Sequence, residues 1–337
     1  MQARFEKYEL IFKQASGTSR GVLKTKTTYF IHLDDEGLKS VGEAALFRGL
    51  SADDVPNYEE KLEEVCDNIE TYANDYHESL KDFPSIVFGL EQAFSRMQNG
   101  SSICFENSFS RGERGIPING LIWMGDEAFI LEQIEAKLNE GFRCLKMKIG
   151  SIAFDKELAI LHSLRKCFTL EQLEIRVDAN GAFTPKNALN NLERLNELGL
   201  HSIEQPIQQG QWGAMAKLCE QSPLDIALDE ELIGIHGLDE KNRLLARIRP
   251  QYIILKPALV GGFQSCDEWI SLAESQGISW WVTSALESNV GLEAIAQYTA
   301  SKNTDRYQGL GTGQLFTNNK PSNLEIFQAA LWQNRKD

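Results

Sequence analysis

The amino-acid sequence predicts an α/β barrel preceded by a smaller α+β domain. From residue 116 onward, short apolar runs alternate with stretches of helical periodicity, a pattern typical of consecutive strand–helix units. Five of these runs end in a charged residue, at positions 148, 178, 204, 229 and 256, which are separated by 30, 26, 25 and 27 residues. A strand, a helix and two short loops need about that much chain. We therefore expect each unit to bring one charged side chain to the same end of the barrel.

Residues 1–115 are assigned to the α+β domain because their apolar pattern changes from strand-like alternation to helical periodicity. Strands are predicted at 4–13, 22–33 and 39–46, and helices at 57–80 and 84–98. The loop at 14–21 is rich in small polar residues and turn formers, which predicts a mobile segment. A further loop is predicted at 46–51.

Residues 116–312 are assigned to the barrel. Its strands are predicted at 116–123, 143–150, 173–178, 202–204, 224–229, 252–256, 279–283 and 307–311. Helices are predicted between them, for instance at 126–140, 185–198 and 290–302. Residues 313–337 include a helical stretch near 321–335. They are too few for a further domain, so we expect them to pack back on the first one.

The charge of the chain narrows the classes of partner. Lys and Arg total 34 against 48 Asp and Glu, for a net charge of −14. Because no basic face is evident, binding to nucleic acid or to an anionic membrane is not expected. The first residues carry charges where a signal peptide needs apolar ones, and no apolar run could span a bilayer, so a cytoplasmic location is expected. The six cysteines form no Cys-x-x-Cys pair, which favours reduced thiols over disulfides or a zinc site.

Three of the charged strand ends are carboxylates, Asp178, Glu204 and Asp229. Taken singly, a carboxylate at a strand end more often caps the following loop. These three follow consecutive strands, so they should meet at the barrel mouth and repel one another unless a cation neutralises them. Oxygen ligands with no His or Cys nearby suit a hard cation and favour Mg²⁺, with Mn²⁺ as a substitute. Asn180 and Glu230 stand beside these ligands and are expected to support them.

Lysines occupy the other charged strand ends. Lys146 and Lys148 alternate with Met147, so both project from one face of strand two, and Lys256 ends strand six across the mouth. Lysines on a strand are most often only solvated, but these flank the predicted metal ligands. A lysine beside another lysine and a divalent ion has its charged form disfavoured, so Lys148 could act as a base. With Lys256 stabilising negative charge, the pattern predicts proton removal next to the carboxylate of a small-molecule substrate.

These residues resemble the signature of the enolase superfamily, and specifically of its muconate-lactonising subgroup. That subgroup carries Lys-x-Lys on strand two, carboxylates on strands three to five and a lysine on strand six. The strings VDANGAF, IEQP, LDE and LKP are similar as well, and the likeness extends over nearly the whole chain. It implies a modified TIM barrel of the (β/α)7β type with an N-terminal α+β capping domain. The loops at 14–21 and 46–51 would then close over the substrate.

Within the subgroup, the likeness is greatest to the o-succinylbenzoate synthase family. This resemblance implies dehydration of a succinyl-hydroxycyclohexadiene carboxylate in menaquinone biosynthesis. Lys148 would remove the α-proton and then assist departure of the hydroxyl group from the same face, while Lys256 would stabilise the ring electrostatically and by a cation–π contact. Thr283, Ser284 and Gly311 are the expected substrate contacts.

Other reactions remain open. Dipeptide epimerases of the subgroup carry Asp-x-Asp on strand eight, where this chain has Gly309-Leu310-Gly311, so a dipeptide substrate is not expected. N-acyl amino acid racemisation remains open because two opposed lysines can exchange a proton from either face, and muconate cycloisomerisation uses the same constellation. Outside this family, the glycines of Val260-Gly261-Gly262 and of the strand-eight end could cradle a phosphate, which would make the protein a phosphosugar enzyme or a non-catalytic phosphate-binding barrel. Neither glycine-rich turn is accompanied by a basic residue. The sequence leaves the oligomeric state open, and a homo-oligomer is compatible with it.

Overall fold

The computed structural model describes residues 1–18 and 21–335. Its N-terminal strands form an antiparallel sheet in the order β1 (Gln2–Thr18), β2 (Gly21–Asp35) and β3 (Leu38–Ala44). The loop predicted over 14–21 is therefore wrong for residues 14–18. These residues continue β1 because β2 pairs with this strand as far as Thr18 opposite Gly21, after a shift of register between Ile11 and Ser16. Residues 19 and 20 lie outside the described residues.

The helical part of this domain is more broken than predicted. The single helix predicted over 57–80 is wrong, because the chain forms α1 (Tyr58–Asp67), α2 (Ile69–Tyr72) and α3 (Tyr76–Ser79). The backbone leaves the helical conformation at Asn68, whose side-chain amide donates to the Glu64 carbonyl, and again at Asp75. An Asn side chain that competes for a backbone hydrogen bond, as Asn68 does, favours a helix end. The second predicted helix is confirmed as α4 (Pro84–Gln98).

The barrel is confirmed. After β4 (Ile116–Pro117), its parallel strands lie side by side in the order β5 (Gly120–Ile122), β6 (Cys144–Lys148), β7 (Glu174–Asp178), β8 (Ser202–Glu204), β9 (Ile226–Leu228), β10 (Tyr252–Leu255) and β11 (Ser279–Val282). The helices of the barrel are α5 (Glu127–Asn139), α6 (Phe154–Cys167), α7 (Ala188–Asn196), α8 (Trp212–Gln221), α9 (Leu238–Ile248), α10 (Pro257–Val260), α11 (Gly262–Ser275) and α12 (Asn289–Ser301). None of the described helices is both long and apolar enough to cross a membrane.

The predicted eighth strand, 307–311, closes the ring through isolated bridges rather than as a continuous strand. Gln308 bridges to Ile118 beside β5, and Gly309 bridges to Thr283 at the end of β11. The backbone of Gly309 comes so close to Thr283 that a β-carbon at position 309 would collide with the threonine side chain. Glycine is therefore required at this point of closure.

The C-terminal segment differs from the prediction. The helix predicted near 321–335 is wrong, because β12 (Leu324–Phe327) and β13 (Ala330–Gln333) form a hairpin, and β13 pairs antiparallel with β4. Gln328 and Ala329 make the turn with positive φ, as two-residue hairpin loops require. Residues 315–317 lie along β1, where the Lys13 N–H donates to the Leu315 carbonyl at 2.8 Å. The division into domains at 1–115 and 116–312 remains a prediction.

Apolar packing holds the N-terminal sheet against the barrel mouth. One core fills the space between the barrel strands and their helices, and another lies between the sheet and its own helices. A smaller cluster joins the two, with Phe12 of β1 and Phe47 of the loop at 46–51 packed together with Leu259 of α10 and Leu286 of the loop after β11. This cluster places the loop at 46–51 beside the C-terminal ends of the barrel strands.

Asp53, in the N-terminal domain, gives a prediction for the pH dependence of stability. Burial raises the pKa of this carboxyl to about 6. Hydrogen bonds from the Ser85 N–H (2.9 Å) and hydroxyl (2.5 Å) lower the pKa, but burial outweighs them. Because the folded protein binds this proton more tightly than the unfolded chain does, protonation of Asp53 stabilises the fold. This contribution is complete below the pKa that Asp53 has in the unfolded chain, and it is lost as the pH rises through the pKa that it has in the folded protein. Relative to Asp53→Asn, the wild-type free energy of unfolding should fall by about 3 kcal/mol between pH 3.5 and pH 7.

Denaturant unfolding of both proteins across this pH range measures the difference. Asp54→Asn is the matched control, because hydrogen bonds from the Gly49 N–H and Arg48 overcome burial and lower the pKa of Asp54. Relative to Asp54→Asn, the wild-type free energy of unfolding should rise over the same pH range, because a carboxyl with a lowered pKa stabilises the fold when it is ionised. Parallel curves for Asp53→Asn and wild type would contradict the assignment.

Candidate active site

The strand register sets the charged residues beside one another. Lys148 lies opposite Asp178 in the pairing of β6 with β7, and Asp178 lies opposite Glu204 in the pairing of β7 with β8. Asp229 follows the end of β9, and Lys256 follows the end of β10. The structure thus brings these residues together at the C-terminal edge of the barrel, where enzymes of this architecture carry their chemistry.

Each lysine of the cluster contacts a carboxylate. Lys146 Nζ lies 3.0 Å from Asp178 Oδ2 and 2.5 Å from Glu204 Oε2. Lys148 Nζ lies 3.0 Å from the same Asp178 oxygen, and Lys256 Nζ pairs with Asp229 Oδ2. All of these side chains are largely buried, so the ion pairs are only weakly screened by solvent.

The buried charges shift one another's protonation in different directions. Burial disfavours charge on Lys146, but the carboxylates of Asp178, Glu204 and Asp229 outweigh it and raise the pKa of Lys146. Burial likewise opposes charge on Asp178, but the neighbouring lysines, Lys146 first, lower the pKa of this carboxyl. For Glu204, burial and then the Asp178 charge raise the pKa well above its usual value. Lys146 therefore compensates the charge of Glu204 only in part.

Among the described residues, no group of three His, Cys, Asp or Glu side chains converges in a metal-holding arrangement. Asp178 and Glu204 both contact Lys146 Nζ, while Asp229 pairs with Lys256 Nζ. The donor set nevertheless fits a hard cation. It offers only oxygen atoms, and Glu204 Oε1 is buried without a hydrogen-bond partner in the described part of the chain.

Asn180 connects the base candidate to Glu230. Its Oδ1 accepts a hydrogen bond from Lys148 Nζ at 2.6 Å, and its Nδ2 donates to Glu230 Oε1 at 2.9 Å. Its backbone N–H donates to Asp178 Oδ1 at 3.0 Å, and its φ of +43° lies in the left-handed region. An asparagine tolerates this conformation better than most residues, so the position suits its side chain.

A single cavity contains most of the predicted residues. It is lined by Lys146, Lys148, Asp178, Asn180, Glu230 and Lys256, and by the predicted substrate contacts Thr283, Ser284 and Gly311. Glu204 and Asp229 are not part of this lining. The Ser284 and Thr312 hydroxyls share a hydrogen bond of 2.6 Å, and the Thr283 hydroxyl donates to the Gly309 carbonyl at 2.9 Å, so this wall is internally ordered.

Several lining residues were not predicted from the sequence. Phe47 and Leu50 belong to the loop at 46–51, which was expected to close over the substrate although no contact residue in it was named. Asn119 and Trp123 come from the first barrel strand region. Strand position could have indicated Trp123, which lies just beyond the C-terminal end of β5. Gln205 was also missed. Its Oε1 accepts from the N–H groups of Asp229 at 3.2 Å and Glu231 at 3.3 Å, which fixes the turn that carries Asp229.

Comparison with known proteins identifies the family. The family model described as "Enolase C-terminal domain-like" matches residues 130–324. The chain belongs to the enolase superfamily. Within this superfamily, an o-succinylbenzoate synthase from Desulfotalea psychrophila is 49% identical over an alignment that covers 97% of each chain.

A solved structure and one more relative show how widely the likeness extends. The crystal structure of MenC from Desulfotalea psychrophila matches with a TM-score of 0.86 and 46% identity, covering 98% of this chain and 99% of that one. An N-succinylamino acid racemase from Thermus thermophilus is 36% identical over 48% of this chain and 41% of its own length. The fold and nearly the whole length are therefore shared with the first, and about half of the chain with the second.

Proposed function

We propose that this enolase-superfamily member is an o-succinylbenzoate synthase. It would remove water from a succinyl-hydroxycyclohexadiene carboxylate to form o-succinylbenzoate, a step of menaquinone biosynthesis. The observation that carries the proposal is the relative of that name, which is 49% identical over nearly the full length of both chains. The cavity supports the reaction type, because lysines that can take up and return a proton stand beside a cluster of carboxylates.

The proposed cation is Mg²⁺, with Mn²⁺ as a substitute, held by Asp178, Glu204 and Asp229. When bound, it would supply positive charge to the substrate carboxylate and so favour the negative charge that develops as the neighbouring carbon loses its proton. Asn180 and Glu230 would orient the surrounding groups through the hydrogen bond between them.

Lys148 is proposed as the base and then the acid. Cleavage of the substrate C–H bond transfers its proton to Lys148 Nζ. Cleavage of the C–O bond then returns a proton from Lys148 to the departing hydroxyl group, so that water leaves and the ring becomes aromatic. One lysine serves both steps when both groups leave from the same face of the ring.

Lys256 is proposed to stabilise charge from the other side. It follows β10, which lies across the ring of strands from β6 and its Lys148. Burial opposes its charge, but Asp229, Glu204 and Glu230 outweigh burial and raise the pKa of Lys256, so it remains an ammonium. A persistent positive charge favours the electron-rich intermediate without exchanging a proton with it.

The test is a direct comparison of substrates with the purified protein in Mg²⁺. The diene carboxylate, an N-succinyl amino acid and a muconate are supplied separately, and the products are identified by mass spectrometry and optical rotation. Loss of water from the diene at a catalytic efficiency well above that for the other two is expected. No dehydration by folded protein would refute the synthase assignment.

N-acyl amino acid racemisation is the second candidate, because a racemase relative matches about half of the chain and two lysines face each other across the mouth. Lys256→Arg separates the two reactions, since a guanidinium keeps the charge but stays protonated. We expect racemisation to fall by at least about 100-fold and dehydration to fall by no more than about tenfold.

Steady-state assays of both reactions measure this difference. Lys166→Arg, on the exposed last turn of α6, is the control and should leave both rates unchanged. An equal loss of both reactions in Lys256→Arg would mean that Lys256 transfers a proton during dehydration as well.

A further inference from the structure

Glu43 of β3 reaches from the N-terminal sheet to the first turn of a barrel helix. Its side chain is fully buried. Its carboxylate accepts hydrogen bonds from the Ser288 N–H at 2.9 Å, the Ser288 hydroxyl at 2.6 Å and the Gly291 N–H at 2.9 Å. Ser288 is the N-cap residue of α12, so a glutamate distant in sequence completes the start of this helix.

Glu91 of α4 makes the same kind of contact with the preceding barrel helix, α11. Its buried carboxylate accepts hydrogen bonds from the backbone N–H groups of Phe263 and, at 2.9 Å, Gln264. Both belong to the first turn of α11. Two glutamates of the N-terminal domain thus bind the N-terminal ends of two adjacent barrel helices.

Glycines make room for both carboxylates. A β-carbon at Gly291 would lie 2.9 Å from Glu43 Oε2, and a β-carbon at Gly262 would collide with the Glu91 carboxylate. Any side chain at these positions would push the glutamate away from the helix. Each contact therefore requires both the glutamate and the glycine that leaves space for it.

Each of these helices follows directly on a wall of the cavity. The segment Thr283–Leu286 lines the cavity and leads through Glu287 into Ser288 and α12. Lys256 lines it as well and leads through α10 and Gly261 into α11. A contact that fixes the first turn of a helix also fixes the segment just before it.

We propose that Glu43 and Glu91 are positioning residues for the reaction and that they act on different parts of it. Glu43 holds the wall at 283–286, against which the substrate lies, and so governs substrate binding. Glu91 holds the segment that carries Lys256 and so governs the chemical step. This inference rests on the proposed function, since the two roles are defined by that reaction.

The experiment compares kcat and KM for Glu43→Gln and Glu91→Gln. An amide places a donor where the carboxylate accepts, so each variant loses at least one helix-capping hydrogen bond. We expect Glu43→Gln to raise KM at least about tenfold with kcat within about twofold. Glu91→Gln should lower kcat at least about tenfold with KM within about threefold.

The control is Glu293→Gln, a half-buried glutamate on α12 that accepts from Gln333 Nε2 at 2.5 Å, away from the first turn of the helix. It should change neither constant. The proposal would be overturned if both variants changed the same kinetic constant, or if they lost thermal stability with kcat and KM unchanged.

If Glu43→Gln does not fold, Gly291→Ala displaces the carboxylate without removing it, and an unchanged KM there would overturn the Glu43 role. If Glu91→Gln does not fold, Glu91→Asp shortens the side chain and withdraws the carboxylate from α11, and an unchanged kcat there would overturn the Glu91 role.

Hydrogen exchange keeps this test separate from the assignment of the reaction. Wild-type protein that fails to turn over the diene refutes the proposed function, whatever the variants do. The contacts themselves are tested by amide protection. Loss of protection confined to 284–291 in Glu43→Gln and to 257–264 in Glu91→Gln supports the positioning roles, whereas a uniform loss overturns them.

Discussion

Replacement of Lys148 by methionine is expected to lower kcat for dehydration by at least about 1,000-fold. Methionine keeps an unbranched side chain of similar length but can neither accept nor return a proton. Lys148 Nζ contacts Asp178 and Asn180 inside the cavity, and both proposed proton transfers involve this nitrogen. KM should change much less than kcat, because the lost interaction is made chiefly in the transition state.

Rapid-quench or spectrophotometric assays of the purified variant measure this effect. Lys166→Met, an exposed position on α6, provides the control and should match wild type. In heavy water, wild-type protein should also exchange the α-proton of the substrate with solvent, and Lys148→Met should not. A variant that retained a tenth of the wild-type kcat would show that another group removes the proton.

Replacement of Glu204 by glutamine is expected to abolish turnover and, at the same time, to leave the metal-free protein at least as stable as wild type. The two effects differ in sign because Glu204 is buried, next to Asp178, and its charge is poorly compensated without a cation. In wild type, Mg²⁺ at a hundred times its Kd should stabilise the fold by about 2.7 kcal/mol. Glu204→Gln should gain far less, because one charged ligand is lost.

Thermal unfolding with and without Mg²⁺ measures this second prediction independently of activity. Glu293→Gln is again a suitable control, since this glutamate of α12 contacts Gln333 and lies outside the cavity lining. It should respond to Mg²⁺ as wild type does. A Glu204→Gln protein that gains as much from Mg²⁺ as wild type would show that Glu204 does not hold the cation.

Much of the barrel could be predicted because strand alternation and repeat length are local properties of the chain. The alternation of Lys146, Met147 and Lys148 predicted which side chains enter the cavity, and both lysines line it. The spacing of the charged strand ends predicted that Asp178 and Glu204 are neighbours, and the register places them opposite each other. These patterns need no knowledge of distant contacts.

Features that depend on distant partners were missed. The segment near 321–335 forms a hairpin because β4, far away in sequence, pairs with it. Glu43 and Glu91 look like ordinary acidic residues until the fold brings them to the ends of α12 and α11. The ion pairs that turn the carboxylates toward lysines likewise depend on the packing of the completed barrel mouth.

The most direct test of the account is an ultraviolet assay that follows loss of the diene chromophore, with the purified protein in Mg²⁺, after addition of EDTA, and after Mg²⁺ is restored. We expect rapid aromatisation, loss of activity in EDTA and full recovery with restored Mg²⁺. Turnover that continued unchanged in excess EDTA, in protein shown to be free of divalent metal, would contradict the central claim that the carboxylates at the ends of β7, β8 and β9 hold a catalytic cation.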